Sequence, residues 1–211
     1  MPNRNSLFTL FILMVSFFAM AQEVEMSVLA STELRNRVVE KSRNTSSIIS
    51  DFEQYKHLDF LSNDIISTGK LTYKSPSSIR WEYKEPFVYS AIFKNNKLYI
   101  NDDGVKSKVN LDGNKTFKSL NNLIIKSVRG DMFDKEKFDI SSYENSETYI
   151  VHFKSLDKAL KKLISEFVLT FDKESLNVIQ VKMIESSNDF TLLKFLNQQT
   201  NQSVADEVFT N

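Results

Sequence analysis

The chain has 211 residues, a length that a single domain accounts for. It carries 27 basic and 27 acidic residues, so it has no basic excess with which to neutralise phosphates, and this argues against nucleic acid as a partner. It contains no cysteine, which excludes disulfides, thiolate metal sites and a catalytic thiol.

The N-terminus has the features of a secretory signal peptide. Arg4 precedes an apolar run over residues 7–18, and Ala-Met-Ala at residues 19–21 fits a cleavage site. The run is shorter than the roughly 20 apolar residues that a membrane-spanning helix needs. We therefore predict a signal peptide over residues 1–21 and one mature domain over residues 22–211. Since no cysteine is available for N-terminal lipidation, we expect a soluble protein exported to the periplasm.

The mature chain begins with a helical pattern and continues with alternating strands. Ala30, Leu34 and Val38 recur at helical spacing within residues 27–43. The period then changes to two, with turn signals at Asn-Asn 95–96 and at residues 101–104. The predicted strands cover residues 47–60, 64–75, 78–86, 87–95, 97–102, 104–111, 147–155, 165–173, 176–185 and 189–199.

A second helical pattern interrupts the strands between residues 112 and 131. Its apolar residues fall at helical spacing, between Gly113 and Gly130 as start and stop signals. These apolar positions are Phe117, Leu120, Ile124 and Val128.

Short consecutive strands without intervening helices predict an antiparallel meander. The fold class is therefore mainly β (α+β), with one large curved antiparallel sheet and two helices to cover a face. The polar residues 200–211 are expected to be a peripheral extension. The sequence leaves open whether the covered face holds side chains only or side chains around a cavity.

Catalytic motifs are absent from the sequence. His57 and His152 have no recognisable nucleophile beside them, and no G-x-S-x-G elbow or glycine-rich phosphate loop occurs. No His/Cys cluster with metal-ligand spacing occurs either. We therefore predict no catalytic residue, no metal site, no cofactor and no enzymatic activity.

One face of the central strands is rich in large apolar side chains. Such alternation is the ordinary signature of a half-buried strand and by itself indicates a core. The residues on this face are Leu71, Tyr73, Ile79, Trp81, Tyr83, Tyr89 and Phe93.

Several of these segments resemble the LolA family of periplasmic outer-membrane lipoprotein carriers. "DFEQ" at residues 51–54 is similar to the F-x-Q strand of the family, and "GKLTYKSPSSIRWEYKEP" at residues 69–86 is similar to its G-x-L…P…W…P pattern. The hairpin "NNKLYINDD", the segment "LNNLIIKSVRGD" and the late strands follow in the family's order.

The resemblance implies a half-open β-barrel closed by helices over a hydrophobic cavity. The seven apolar strand residues would then line a lipid-binding cavity, and the second helical pattern would form its lid. The implied partners are acylated lipoproteins, an inner-membrane ABC transporter of the Lol type and an outer-membrane acceptor. A monomer is expected.

The sequence departs from the family at one position. Well-known members have an arginine directly before the first proline, where it bonds the lid, and this chain has Ser75. A serine cannot replace the fork of donors of a guanidinium, so the latch is expected to be weaker at Ser75, relocated to Lys74 or Arg80, or absent.

Three other interpretations remain open at this stage. They are a carrier of another lipid, such as a glycolipid or pigment precursor, a periplasmic lipid hydrolase or acyltransferase, and a module with a filled core that binds partners through its surface.

Overall fold

The computed structural model describes residues 23–110, 123 and 125–210. The predicted signal peptide, residue 22 and three of the four predicted lid positions (Phe117, Leu120 and Ile124) lie outside the described residues. The strands of the described part are β1 (Val24–Glu25), β2 (Ser47–His57), β3 (Ile65–Lys74), β4 (Ser78–Glu85), β5 (Tyr89–Lys94), β6 (Lys97–Asp102), β7 (Val105–Asn110), β8 (Phe138–Glu144), β9 (Thr148–Ser155), β10 (Glu166–Asp172), β11 (Val178–Ile184) and β12 (Phe190–Thr200).

These strands form one antiparallel sheet of 12 strands, so the prediction of a mainly β chain built on a single sheet is confirmed. Their order is β1-β8-β9-β10-β11-β12-β2-β3-β4-β5-β6-β7. Two meanders, β2–β7 and β8–β12, are joined where β12 pairs with β2. Among the described strands, β1 and β7 form the two edges, and the sheet that they bound does not close on itself.

Local sequence explains the hairpins on either side of β6. Asn95 and Asn96 adopt φ of 50° and 59° between β5 and β6, and Asp103 and Gly104 adopt φ of 45° and 90° between β6 and β7. Asn, Asp and Gly tolerate this left-handed region, which two-residue hairpin turns require. All ten predicted strands are present, each with ends within three residues of the prediction. The strands β1 and β8 were not predicted.

Helix α1 (Val28–Arg43) begins at Ser27, whose hydroxyl accepts a hydrogen bond from the backbone N–H of Ala30 at 3.2 Å. Lys41 and Arg43 lie in its last turn, where cations are favourable. Residues 123 and 125–129 are helical and form the described part of α2. A short helix α3 (Lys158–Lys161) and a 3₁₀ helix (Asp206–Phe209) complete the described helices.

The hydrophobic core lies on one face of the sheet, here called the inner face. Leu34 and Val38 of α1 and Val128 of α2 belong to the same core cluster as the inner strand residues. Gly130 allows the end of α2 to pack closely, because a Cβ there would lie 2.6 Å from the Phe171 ring. Its φ of 78° is also a conformation that favours glycine.

Candidate functional site

A pocket of about 230 Å³ lies on the inner face beside β4 and β5. Four of the seven residues predicted as a cavity wall line it: Trp81, Tyr83, Tyr89 and Phe93. The other lining residues, which come from β2, β5, α2, β11 and β12, are Gln54, Ala91, Ser127, Val181, Met183 and Leu193. None of these lining residues carries a formal charge, so the pocket is a weakly polar cavity with an aromatic wall.

The aromatic wall depends on a glycine in the neighbouring strand. A Cβ on Gly69 would lie 2.6 Å from the ring of Phe52 and 2.1 Å from the carbonyl oxygen of Glu82. Because this Cβ is missing, the Phe52 ring lies over β3 and meets Trp81 and Tyr83 edge to face, with centroid distances of 5.2 and 5.1 Å. Gly69 therefore sets the position of two pocket residues.

One hydrogen bond supplies much of the polarity of the wall. The Tyr83 hydroxyl donates to Gln54 Oε1 at 3.1 Å, so two polar groups of the pocket lining bond each other. Burial, followed by interaction with Tyr89, raises the pKa of Tyr83 to about 12. Tyr83 therefore stays neutral at physiological pH, and the wall offers no ionised group to a guest.

The other three predicted cavity residues lie in a filled part of the core. Leu71, Tyr73 and Ile79 are fully buried and do not line the pocket. The Tyr73 hydroxyl donates to the Pro76 carbonyl at 3.3 Å, and the guanidinium of Arg129 lies 5.8 Å from the centre of its ring. That Leu71, Tyr73 and Ile79 contact a lipid stays a prediction.

The described part of α2 is fixed to α1 by a residue that the sequence interpretation missed. Arg129 Nη2 donates to the carbonyl of Ser42 at 3.0 Å, in the last turn of α1, and lies 3.6 Å from Asp131 Oδ2. Val128, the predicted lid residue that the structure describes, is buried in the core beside it. The sequence does place an arginine directly before Gly130, at the end of the helical pattern, and this arginine could have indicated a contact between α2 and another element.

Among the described residues, two of the predicted latch residues bond the C-terminal segment. Lys74 Nζ donates to the carbonyl of Val204 and to Asp206 Oδ1, both at 2.7 Å. Arg80 Nη1 donates to the carbonyl of Val208 at 3.1 Å. Both side chains lie on the outer face of the sheet, where they keep this segment against β4.

The third latch candidate, Ser75, is exposed, and its backbone N–H donates to the carbonyl of Ser46 at 2.8 Å. The C-terminal segment ends in the 3₁₀ helix, which contacts β4 and β5 and buries Phe209. Residues 204–209 are thus an integral part of the outer face, so the expectation of a peripheral extension was wrong.

Each histidine lies beside a carboxylate, which the sequence had not indicated. His57 Nδ1 is 2.9 Å from Asp64 Oδ1, with Asp59 3.7 Å from its other nitrogen, and His152 Nδ1 is 2.7 Å from Glu166. Neither histidine lines the pocket. In the part of the chain that the structure describes, no group of three or more potential ligands could hold a metal ion. No helix in that part is both long and apolar enough to span a bilayer.

Comparison with known proteins identifies the family. The model of the family described as outer membrane lipoprotein carrier protein LolA matches residues 43–211. No curated protein sequence matches the chain.

Solved structures similar to this chain include an uncharacterized conserved protein from Thermus thermophilus, with a TM-score of 0.54, 6% identity, and coverage of 85% of this chain and 92% of that chain. The lipoprotein LppX of Mycobacterium tuberculosis has a TM-score of 0.50 and 9% identity, with coverage of 85% of this chain and 99% of that chain. A chain of the Pseudomonas aeruginosa MucA/MucB complex has a TM-score of 0.50 and 11% identity, with coverage of 86% of this chain and 61% of that chain. At these identities the likeness shows a shared fold.

Proposed function

Because the chain belongs to the LolA family, we propose that it is a periplasmic carrier that shields the acyl chains of lipoproteins on their way from the inner to the outer membrane. In this proposal, cargo comes from an inner-membrane ABC transporter of the Lol type and goes to an outer-membrane acceptor. The carrier acts as a monomer and performs no catalytic step.

The observation that carries the proposal is the uncharged pocket with its aromatic wall. Exposing an acyl chain to water costs about 0.8 kcal/mol for each CH₂ group, so a carrier has to supply apolar surface. Trp81, Tyr83, Tyr89 and Phe93 supply it from β4 and β5. With few polar groups to fix a headgroup, such a wall accepts chains of varied structure and binds them with little specificity.

Cargo uptake requires the pocket to enlarge. Its volume of about 230 Å³ is below the roughly 300–1,000 Å³ that is usual for ligand sites. Ser127 of α2 lines the pocket, and Arg129 of the same helix bonds α1. We therefore assign to α1 and α2 the closure of the inner face, and to the Arg129–Ser42 contact the role of the latch that Lys74, Ser75 or Arg80 was expected to have.

A carrier of another lipid, such as a glycolipid or pigment precursor, is the second candidate. The uncharged lining is equally compatible with it, because such a wall contacts the acyl chains of either cargo alike. A hydrolase or acyltransferase is less well supported, since both histidines lie outside the pocket and bond carboxylates rather than a nucleophile.

The test combines native mass spectrometry of the purified protein with a release assay. We expect bound lipid in the native spectrum and, after extraction, acyl chains without turnover products. We also expect the protein to release lipoproteins from spheroplasts. Bound lipid without lipoprotein release would favour the other-lipid carrier, and the absence of both would contradict the proposal.

A further inference from the structure

Exposed apolar side chains are concentrated at one end of the sheet. Phe60 lies in the β2–β3 loop with 81% of its surface exposed, and Phe87 lies in the β4–β5 loop with 77% exposed. Both loops are hairpin connections at the same end of the sheet, because the two antiparallel strands β3 and β4 lie between them. The apolar rim, as we define it, consists of Phe60, Leu61, Ile65, Ile66, Phe87 and Val88.

The loop that carries Phe60 is held in place by hydrogen bonds. His57 and Asp64 pair across its base at 2.9 Å, and the backbone N–H of Asp59 donates to Asp189 Oδ1 at 2.8 Å. The backbone N–H of Leu61 donates to the carbonyl of Leu58 at 2.8 Å. Phe60 is therefore presented outward from a fixed loop, and its exposure is not the result of a chain without contacts.

The second loop is also anchored and contains no ionisable side chain. Residues 86–88 are Pro-Phe-Val, and the carbonyl of Val88 accepts a hydrogen bond from the backbone N–H of Asp103 at 3.2 Å. The two phenylalanines thus project from separate, fixed loops. They form convex tips rather than the wall of a groove.

The pocket reaches the same end of the sheet. Tyr89 is the first residue of β5, Tyr83 lies two residues before the end of β4, and Met183 is the penultimate residue of β11. In an antiparallel sheet these positions lie beside the loops that follow or precede them. The apolar rim therefore lies next to the end of the pocket that these three residues line.

We propose that the apolar rim inserts into the interfacial layer of a lipid bilayer and so brings the pocket to the membrane. This inference rests on the proposed function in one respect, because acyl cargo has to leave or enter a membrane. A fluid bilayer accommodates separate convex tips, whereas a protein partner needs a matched concave surface. Because the inserted side chains are apolar and the loop acids Asp59 and Asp64 do not attract anionic lipid, the docking does not require anionic lipid and is only weakly sensitive to salt.

The test measures sedimentation with vesicles of phosphatidylethanolamine and phosphatidylcholine, with and without phosphatidylglycerol. The protein is expressed from its full sequence and purified from a periplasmic extract. We expect binding to both vesicle types, and a loss of about tenfold or more for the double variant Phe60→Ser/Phe87→Ser, since each buried aromatic ring contributes strongly.

The matched control removes two equally exposed apolar side chains far from the rim. Val28 and Leu29 begin α1, three residues after β1, which pairs with the end of β8 opposite to the rim. The double variant Val28→Ser/Leu29→Ser should sediment like the wild type. Equal loss in both variants would overturn the proposal, and so would absence of wild-type binding to vesicles.

A second measurement separates this proposal from that of the carrier. Trp81 emission with a soluble fatty acid monitors the pocket, and we expect the rim variant to keep it. If the rim variant binds vesicles normally but loses lipoprotein release from spheroplasts, the rim docks a protein and the bilayer proposal is wrong. If fatty acid never changes Trp81 emission while rim-dependent vesicle binding persists, the carrier proposal fails and docking stands.

Discussion

Two parts of the inner face have the same sequence pattern and different packing. Leu71 and Ile79 have no exposed surface, whereas Tyr83, Tyr89 and Phe93 are only partly buried and border a pocket. Leu71, Ile79 and Tyr83 are each flanked by two polar residues in the sequence. The difference in exposure depends on how completely other side chains cover each residue on the inner face. The comparison shows that strand alternation defines a buried face without showing whether that face is filled.

The largest expected effect tests this difference in packing directly. Leu71→Ala should lower the free energy of unfolding by about 2–5 kcal/mol, because it leaves a cavity in a filled core. Phe93→Ala should cost only about 1–2 kcal/mol, since its ring already borders a cavity. Urea unfolding measures both. Equal losses would show that the two parts are packed alike.

The next effect concerns the contact between the two helices. Arg129→Ala should lower the free energy of unfolding by about 1.5–3 kcal/mol, because it removes a charged hydrogen bond to Ser42 and leaves the half-buried Asp131 without its cation. It should also speed the release of bound lipid, as measured by stopped-flow transfer to vesicles.

Lys74→Ala is the control for this variant, since Lys74 bonds the C-terminal segment on the outer face. It should leave the rate of lipid release unchanged. If Lys74→Ala released lipid faster than Arg129→Ala, the latch would lie on the outer face and not at Arg129.

A smaller effect is expected at the glycine beneath the aromatic wall. Gly69→Ala should cost about 1–3 kcal/mol, because the new Cβ overlaps the Phe52 ring and the Glu82 carbonyl. Since Phe52 contacts Trp81, the emission of this single tryptophan should shift in the variant without any ligand. An unchanged spectrum would mean that Gly69 does not position the wall.

The smallest effect is the dependence on pH of the contact between Lys74 and Asp206 on the outer face. The hydrogen bond from Lys74, followed by its charge, holds the pKa of Asp206 below its ordinary value of 3.8. The contact therefore contributes fully above that value and is lost as the pH falls through the lowered pKa. NMR signals of the Val208 amide should shift in acid while the indole signal of Trp81 does not.

Asp206→Asn supplies the control for the acid titration. It should remove the shift of the Val208 amide signal. A shift that persists in this variant would assign the transition to another group.

The sequence predicts most of the fold because alternation and turn chemistry are local. It fails at β8, where the residue in the buried register after Phe138 and Ile140 is Ser142, which is 5% exposed. A buried serine interrupts the apolar alternation, so the strand has no clear period of two. β1 has only two residues and takes its position from pairing with β8.

The candidate site is less predictable, because it depends on contacts between distant parts of the chain. Trp81 and Tyr83 could be assigned to the inner face from parity, but their place in a pocket depends on Phe52, Met183 and Leu193 across the sheet. The partners of Lys74 and Arg80 come from residues 204–208, more than 120 positions away. No local pattern encodes such a pairing.

The central claim, that the pocket holds acyl chains, is tested most directly by titrating the protein with a fatty acid and recording Trp81 emission. The protein has one tryptophan, so the signal comes from the pocket wall. We predict a saturable blue shift for the wild type and for Ala159→Phe, a control on exposed α3. Ala91→Phe fills the pocket and should weaken binding by about tenfold or more. Unchanged Trp81 emission in the wild type at saturating fatty acid, or wild-type binding by Ala91→Phe, would contradict the claim.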